Sequence, residues 1–516
     1  MTRGVILGAL VVSVFVALAL RCPELGRRPM HNDEAVNAVK FGSLWEQGSY
    51  QYDPNEHHGP TLFYFTLAWA KLTRAPDFYH FNEARLRGVA VLFGIGLILL
   101  LPLVMDGLGR EATSCAGLLT AISPAMVYYS RDYIHETLLV FFTFLALASG
   151  WRYFRSRKIG WAVLGGAAIG LMQSTKETFV LVLAAMVVAL MLNGLWERRQ
   201  QAGSTRAASK LNARHALTAA GVWLVVALLF FSSFGTNASG LLDALRTYLP
   251  WLNRAAGDSP HIHPWNFYLA RLAFFHIRNG PVWSEGLILV LALTGFIASV
   301  THKGARDSDA GFLRFIAFYT VTLTAIYSFI PYKTPWCMLG FLHGMILLAG
   351  VGAVAVLQRV PGRWKELAAG ILLLAGAGPL VTQALKASVI YAADRRNPYV
   401  YAQTSPDILE LVHDLDGLAQ AHPQGHHMVI KVMAPGNDYW PLPWYLRAFD
   451  QVGWWREMPA DPFAPVMIVS TQFKADLEGN GTHVMVGMFG LRPDAFLELY
   501  VQSDLWRAYL DAKSKE

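Results

Sequence analysis

Asp33 and Glu34 stand side by side in the stretch Met30–Pro60, MHNDEAVNAVKFGSLWEQGSYQYDPNEHHGP, with His31 just before them and His57 and His58 near its end. The stretch lies between two very apolar regions. Ionisable groups gathered at a membrane boundary are expensive to place, which marks them as candidates for function. Three further runs add charge of both signs. YYSRDYIHETLLV holds Arg131, Asp132, His135 and Glu136; QSTKETFVL holds Lys176 and Glu177; IPYKTPWCM holds Lys333. Carboxylates ringed by Lys and Arg suit a substrate with a hydroxyl nucleophile and a phosphate leaving group. A carboxylate takes the acceptor's proton while the cations neutralise charge developing on the departing phosphate. Lysine does so as a point charge and arginine as a bidentate fork. For Lys176–Glu177 or Arg131–Asp132 alone, a salt bridge tying loop ends together explains the pair equally well. A site is favoured because all of these charges fall on one side of the predicted bundle.

The histidines carry a separate option. His57 and His58, or the pair His261 and His263, could join Asp33, Glu34 or Glu136 in ligating a divalent metal. Hydrogen bonding to a sugar or phosphate, or plain loop structure, explains them more simply. No cofactor is therefore assigned, and a divalent metal stays open. The three cysteines, Cys22, Cys115 and Cys337, lie in or beside apolar runs and read as small buried side chains.

The elements that must position these residues are membrane helices. Of the 516 residues 54% are hydrophobic and 15% charged, whereas a soluble chain carries nearer ~25% charged residues. The apolar runs are long and the polar loops short, so the net charge of +7 belongs to loops on one membrane face rather than to a nucleic-acid surface. Residues 5–20 lack a small-x-small cleavage site and read as an uncleaved first span. Further spans are expected near 88–105, 113–129, 137–150, 160–173, 178–195, 216–234, 285–300, 314–330, 335–357 and 366–388. The run 61–72 is too short to cross and reads as a juxtamembrane or re-entrant helix.

About eleven spans result, with the N-terminus inside. The basic loops then lie inside: Arg152 to Lys158, Arg198 to Arg214 with Arg206 and Lys210, Lys303 and Arg306, and Arg359 to Lys365. The outer loops keep Arg131, Lys176 and Lys333, the asymmetry that positive-inside orientation demands. Counting 61–72 as a span would put every basic cluster outside. Residues 1–388 form the membrane domain, with a first outer loop 21–87. Residues 389–516 read as a small extracytoplasmic α/β domain with a helix at 405–418, β runs at 428–433 and 465–470, and an amphipathic end at 493–509. Its run DYWPLPWYLR could stack on a sugar, although packing against the bundle is the simpler reading.

In this order the motifs resemble those of the GT-C superfamily of polyprenyl-phosphate-dependent membrane glycosyltransferases, which includes protein O-mannosyltransferases of the family-39 type. HNDEA after the first span, HHGPTLFYF, the Arg-leading EARLRGVAVLFG, SPAMVYYSRDYIHETLLVFF and the TKE of residues 175–177 carry the likeness over essentially the whole chain. HNDEA, HHGP, YKTPW and DYWPLPWYLR are closest to the bacterial and archaeal flippase-activity-associated subgroup. The resemblance implies a helical membrane protein that transfers a sugar from a polyprenyl-phosphate donor to a lipid, glycan or protein acceptor at the outer face of the cytoplasmic membrane. It implies Asp33 as the acceptor-activating base, Glu34 as its support, and Glu136 as the second acidic residue. Arg131, Lys176 and Lys333 would meet the donor phosphate, with His31, His57 and His58 as further substrate contacts. Glu136 stands where many members carry Asp. A rival class is a transporter or flippase-associated component without transfer activity. Such a protein should carry charges near mid-membrane and repeated halves; here the charges cluster at one boundary and no repeat is visible.

Overall fold

The computed structural model describes the chain except residues 1, 56–57, 201–211, 257–260, 302–306, 361, 437, 480 and 515–516. His57, Arg206, Lys210, Lys303 and Arg306 therefore lie outside the described residues. The chain opens with α1 (Arg3–Arg21), α2 (Asn32–Gln47), α3 (Thr61–Leu72) and α4 (Glu83–Leu100). As expected, α3 is a helix of 12 residues, shorter than a span needs.

Among the described residues eight helices are long and apolar enough to cross a membrane, and Ile159–Gln173 and Gly286–Val300 are shorter apolar helices. The single span expected at 113–129 is two helices, Arg110–Ile122 and Pro124–Tyr129. Pro124 has no N–H to continue the first helix, and Ser123 Oγ accepts the Met126 N–H at 3.4 Å to start the second. Ala213–Phe231 and Trp364–Ile390 leave most of their apolar surface outside the bundle, as lipid-facing helices do.

Close backbone contact ties the bundle together where Gly286–Val300 meets Leu339–Arg359. A Cβ on Gly295 would fall 1.9 Å from Leu348 O, and one on Gly352 would fall 1.9 Å from Leu291 O. Only glycine fits at either place, the small-residue packing by which membrane helices gain dispersion contacts.

The tail is an α/β unit, as expected. Its sheet comprises β1 (Ile430–Met433), β2 (Val452–Trp455), β3 (Val466–Ser470), β4 (His483–Arg492) and β5 (Ala495–Gln502), in the order β2-β1-β3-β5-β4. β1 runs parallel to β2 and β3, while β5 runs antiparallel to β3 and β4. All five residues of β3 are buried, so this central strand reads as an unbroken apolar run. The helix expected at 405–418 is Asp407–Ala421. The amphipathic end expected over 493–509 instead divides into β5 and a helix, Ser503–Lys513. In AFLELYVQ the first buried positions recur every second residue, a strand period that a helical reading overlooks.

The run DYWPLPWYLR docks the tail on the first loop of the membrane domain. Trp444 is fully buried and its Nε1 donates to Glu83 Oε1 at 2.9 Å. The Met30 N–H donates to Tyr445 Oη at 2.8 Å. Arg447 donates to Phe81 O at 2.7 Å and stacks 3.8 Å over the Trp444 ring. These aromatic faces are thus occupied by packing. Replacing Gly352 by leucine should force the helix pair apart at a cost of ~1–3 kcal/mol or more. A clearly lower melting temperature of the purified protein is the expected readout.

Candidate active site

The first turn of α2 divides its two carboxylates between different tasks. His31 precedes the helix, and its Nδ1 accepts the Asp33 N–H at 3.1 Å while Glu34 accepts the His31 N–H at 3.0 Å, a reciprocal capping box. His31 Nε2 donates to Tyr401 O at 3.0 Å, which settles its tautomer. Glu34 is fully buried. It accepts from Arg87 Nε at 2.7 Å and Nη2 at 2.8 Å, from Arg28 Nη2 at 3.2 Å, and from the Tyr133 N–H at 2.9 Å. Burial alone would raise its pKa, but the Arg87 and Arg28 charges outweigh that and hold the carboxyl well below the usual range. Arg28 also pairs with Asp132, which burial lifts to about 6 despite that partner.

One position earlier on the helix, Asp33 faces elsewhere. It lines a cavity of about 270 Å³ together with Asn37, His58, Glu136, Lys176, Glu177 and Trp336. Asn32 Nδ2 stands 3.5 Å from its carboxylate, and among the described residues no cation pairs with it. One ion pair and one histidine–carboxylate hydrogen bond also line the cavity. Lys176 pairs with Glu136, both buried, and Glu136 keeps Lys176 above its ordinary range although burial works against the charge. His58 Nδ1 meets Glu177 Oε2 at 2.9 Å. Burial would raise Glu177, but His58 and then Lys176 bring it down to about 2.

Backbone contacts build this second pair. The Gly59 N–H donates to Thr175 O at 3.0 Å, and the Thr61 N–H donates to Ser174 O at 3.1 Å. A Cβ on Gly59 would lie 2.1 Å from Ser174 O, so glycine alone lets the HHGP loop press against the TKE loop. His135 Nε2 donates to Gly59 O at 3.0 Å from the adjoining element.

Several expected site residues are placed otherwise. Glu34 does not line the cavity; its oxygens are spent on two guanidiniums, so it positions the turn that carries Asp33. Arg131 points away too, donating to Arg21 O at 2.7 Å, Leu20 O at 3.4 Å and Glu24 O at 3.3 Å at the end of α1. Lys333 is buried, its Nζ donating to Ile330 O and, at 3.2 Å, to His263 O, while its neighbours Tyr332, Thr334 and Trp336 line the cavity. His31 is a cap. His261 and His263 both turn onto Tyr401 Oη, at 2.6 and 3.1 Å. Among the described residues no three His, Cys, Asp or Glu side chains cluster as a metal would need. Arg28 and Arg87 were not assigned from sequence; Arg87, a charge one turn into an apolar run, is a signal that could have found them.

Comparison with known proteins agrees with this architecture. Residues 57–207 match the family described as dolichyl-phosphate-mannose-protein mannosyltransferase. No curated protein matches the chain. The structure is similar to that of ArnT from Cupriavidus metallidurans bound to undecaprenyl phosphate, with a TM-score of 0.64 at 14% identity over 98% of this chain and 99% of that one. It is also similar to the archaeal oligosaccharyltransferase AglB from Archaeoglobus fulgidus in complex with an inhibitory peptide and a dolichol-phosphate. There the TM-score is 0.54 at 13% identity, over 98% of this chain and 77% of that one. The fold is that of the GT-C glycosyltransferases, as the ordered motifs implied.

Glu34→Gln should destabilise the protein by ~3–5 kcal/mol, because it removes the charge that two buried guanidiniums share. Asp33→Asn should leave the melting temperature unchanged. Glu34 and Glu177 both have depressed folded-state pKa values, so their stabilisation is full above about pH 4.5 and declines as pH falls below it. For Glu177 the decline runs down to about pH 2. Thermal melts from pH 7 to pH 2 should show this acid-side loss, and Glu177→Gln should flatten part of it.

Proposed function

We propose that this protein is a membrane glycosyltransferase that moves a sugar from a polyprenyl-phosphate donor to a lipid, glycan or protein acceptor at the outer face of the cytoplasmic membrane. The observation that supports the reading is the Asp33 carboxylate, without a cation partner among the described residues, in a cavity that also holds the Lys176–Glu136 and His58–Glu177 pairs. Asp33 accepts the proton of the acceptor hydroxyl. The acceptor oxygen bonds to the anomeric carbon, the bond from that carbon to the phosphate oxygen breaks, and the phosphate leaves with the electron pair. Lys176 stabilises the charge on that phosphate, and His58, fixed by Glu177, supplies a hydrogen-bond donor beside it. Glu136 holds the Lys176 ammonium in place.

The likeness to ArnT and AglB supports a lipid-phosphate donor, since those structures hold undecaprenyl phosphate and a dolichol-phosphate. The eleven-span topology, the outward orientation of the cavity and the extracytoplasmic tail belong to the same proposal and rest on the basic residues at the opposite loops.

The decisive experiment is sugar transfer or release from polyprenyl-phosphate donors by the reconstituted protein. Asp33→Asn should lower kcat by ~10²–10⁴-fold with little change in KM, and His58→Ala by ~10-fold or more. Native turnover by Asp33→Asn would remove Asp33 from the chemistry. A wild-type protein that moves lipid-linked sugar across liposomes without transferring it would favour the transporter class instead.

A further inference from the structure

Beyond the lipid-facing helix Ala213–Phe231 the chain forms two short helices, Gly240–Arg246 and Tyr248–Ala256, neither long enough to cross a membrane. Thr247 alone separates them, and its φ of −56° and ψ of −24° stay in the right-handed helical region. The pair therefore runs as one near-continuous helix with two unlike faces. Leu242, Leu245, Leu249 and Leu252 recur at spacings of three and four residues, and each is 55–67% exposed. Gly240, Ala244, Thr247 and Trp251 recur in the same way; the first three are buried and Trp251 is half-buried. Leu242 and Trp251 are nine residues apart, about two and a half turns, so the two rows lie on opposite sides.

Each end of the inner row has a definite neighbour. A Cβ on Gly240 would fall 2.0 Å from Phe231 O, so the segment starts hard against the end of the lipid-facing helix. Only 11% of the apolar window of that helix is buried inside the protein. At the other end of the row Trp251 lines the Asp33 cavity. Leu181 and Tyr327 line it too, from the ends of the spans Phe179–Gln200 and Ala310–Phe329. Trp251 thus stands at the level where these spans leave the hydrocarbon.

Single exposed apolar side chains need no partner, but a row of four at the helical period is a surface that asks for cover. Continuity names the cover. The row begins where the lipid-facing surface of Ala213–Phe231 ends, and Phe234 between them is exposed as well. Asp243 and Arg246, paired at 3.1 Å, and the exposed Asn253 lie on one flank beside the leucines. A helix with an apolar face and a polar flank, too short to span, lies in the plane of the membrane interface.

We infer that Gly240–Ala256 is an interfacial helix whose leucine row is seated among the acyl chains on the cavity side of the membrane, and that this seat holds Trp251 as the bilayer-facing wall of the Asp33 cavity. Because the two rows share one helix, a shift of the leucines within the lipid moves the indole with them. The bilayer thereby contributes to the shape of the cavity. The leaflet is the outer one in the orientation proposed above, while the seat itself does not rest on the transfer reaction.

The test uses the full-length protein in nanodiscs of phosphatidylcholine carrying an acyl-chain diazirine, with photo-adducts mapped by peptide mass spectrometry. Wild type should carry adducts between Leu242 and Leu252 as well as on the lipid-facing helix Ala213–Phe231. The double variant Leu245→Glu, Leu249→Glu, both exposed changes, should cut adducts on the segment by ~10-fold while Ala213–Phe231 labels as before. Hydroxyl-radical footprinting of the same samples should show oxidation of Trp251 rising ~3-fold or more in the double variant as the helix lifts from its seat. Asn253→Gln, on the polar flank, should change neither readout. Asp33→Asn should match wild type in both, whatever its effect on sugar transfer, so a failure of the catalytic reading is distinguishable from a failure of this one. Absence of adducts between Leu242 and Leu252 in wild type overturns the lipid seat and leaves the leucine row to a protein partner. Adducts undiminished in the double variant overturn the leucines as the seat. Adducts lost with Trp251 oxidation unchanged overturn the link between seat and cavity.

Discussion

A buried carboxylate between two guanidiniums is the constraint on which the rest of the structure depends. Glu34 ties α2 to α4 through Arg87, to the chain leaving α1 through Arg28, and to the 130–135 loop through the Tyr133 N–H. Taking three such charges out of water is costly unless each finds partners, and here the oxygens of Glu34 are saturated. Arg87 adds the carbonyls of Leu25, Arg28 and Pro29, so the loop between α1 and α2 is moulded around one side chain. Membrane helices have little hydrophobic drive to associate with one another in lipid, so polar ties of this kind and close glycine contacts do that work.

The proposed function builds on the division of labour this tie imposes. Because Glu34 is fully engaged, its neighbour Asp33 sits at a defined place, with no cation partner among the described residues. The opposite arrangement holds across the cavity, where Lys176 and His58 each come with a carboxylate, Glu136 and Glu177. A base needs a free carboxylate, whereas groups that meet a leaving phosphate gain from being held still, since preorganised charge costs no reorganisation during reaction. Among the described residues the cavity thus contains one carboxylate without a cation partner and two oriented donors.

The tail contributes by position. Trp444, Tyr445 and Arg447 clamp it to Glu83, Met30 and Phe81, the residues around the Arg87 and Glu34 tie. Tyr401 joins the same assembly, its carbonyl taking His31 and its hydroxyl taking His261 and His263. The junction between tail and bundle therefore buttresses the capped turn that carries Asp33.

The amino-acid order by itself determined the membrane class, the helical runs, the short α3 and the α/β tail, because hydrophobic length and local pattern are properties of consecutive residues. It also offered Asp33, Lys176, Glu136 and His58, among other candidates, as residues able to meet a substrate. Which of two adjacent carboxylates would be free was decided only in three dimensions. Asp33 and Glu34 are alike in sequence, and one residue of helical rotation turns one toward the cavity and the other toward Arg87, fifty-three positions away. Arg131 and Lys333 are read from sequence as phosphate ligands, but a buried cation takes whichever oxygens surround it, and here those include backbone carbonyls of Arg21 at the end of α1 and of His263 in a distant loop. Such partners follow from packing, and sequence spacing cannot name them.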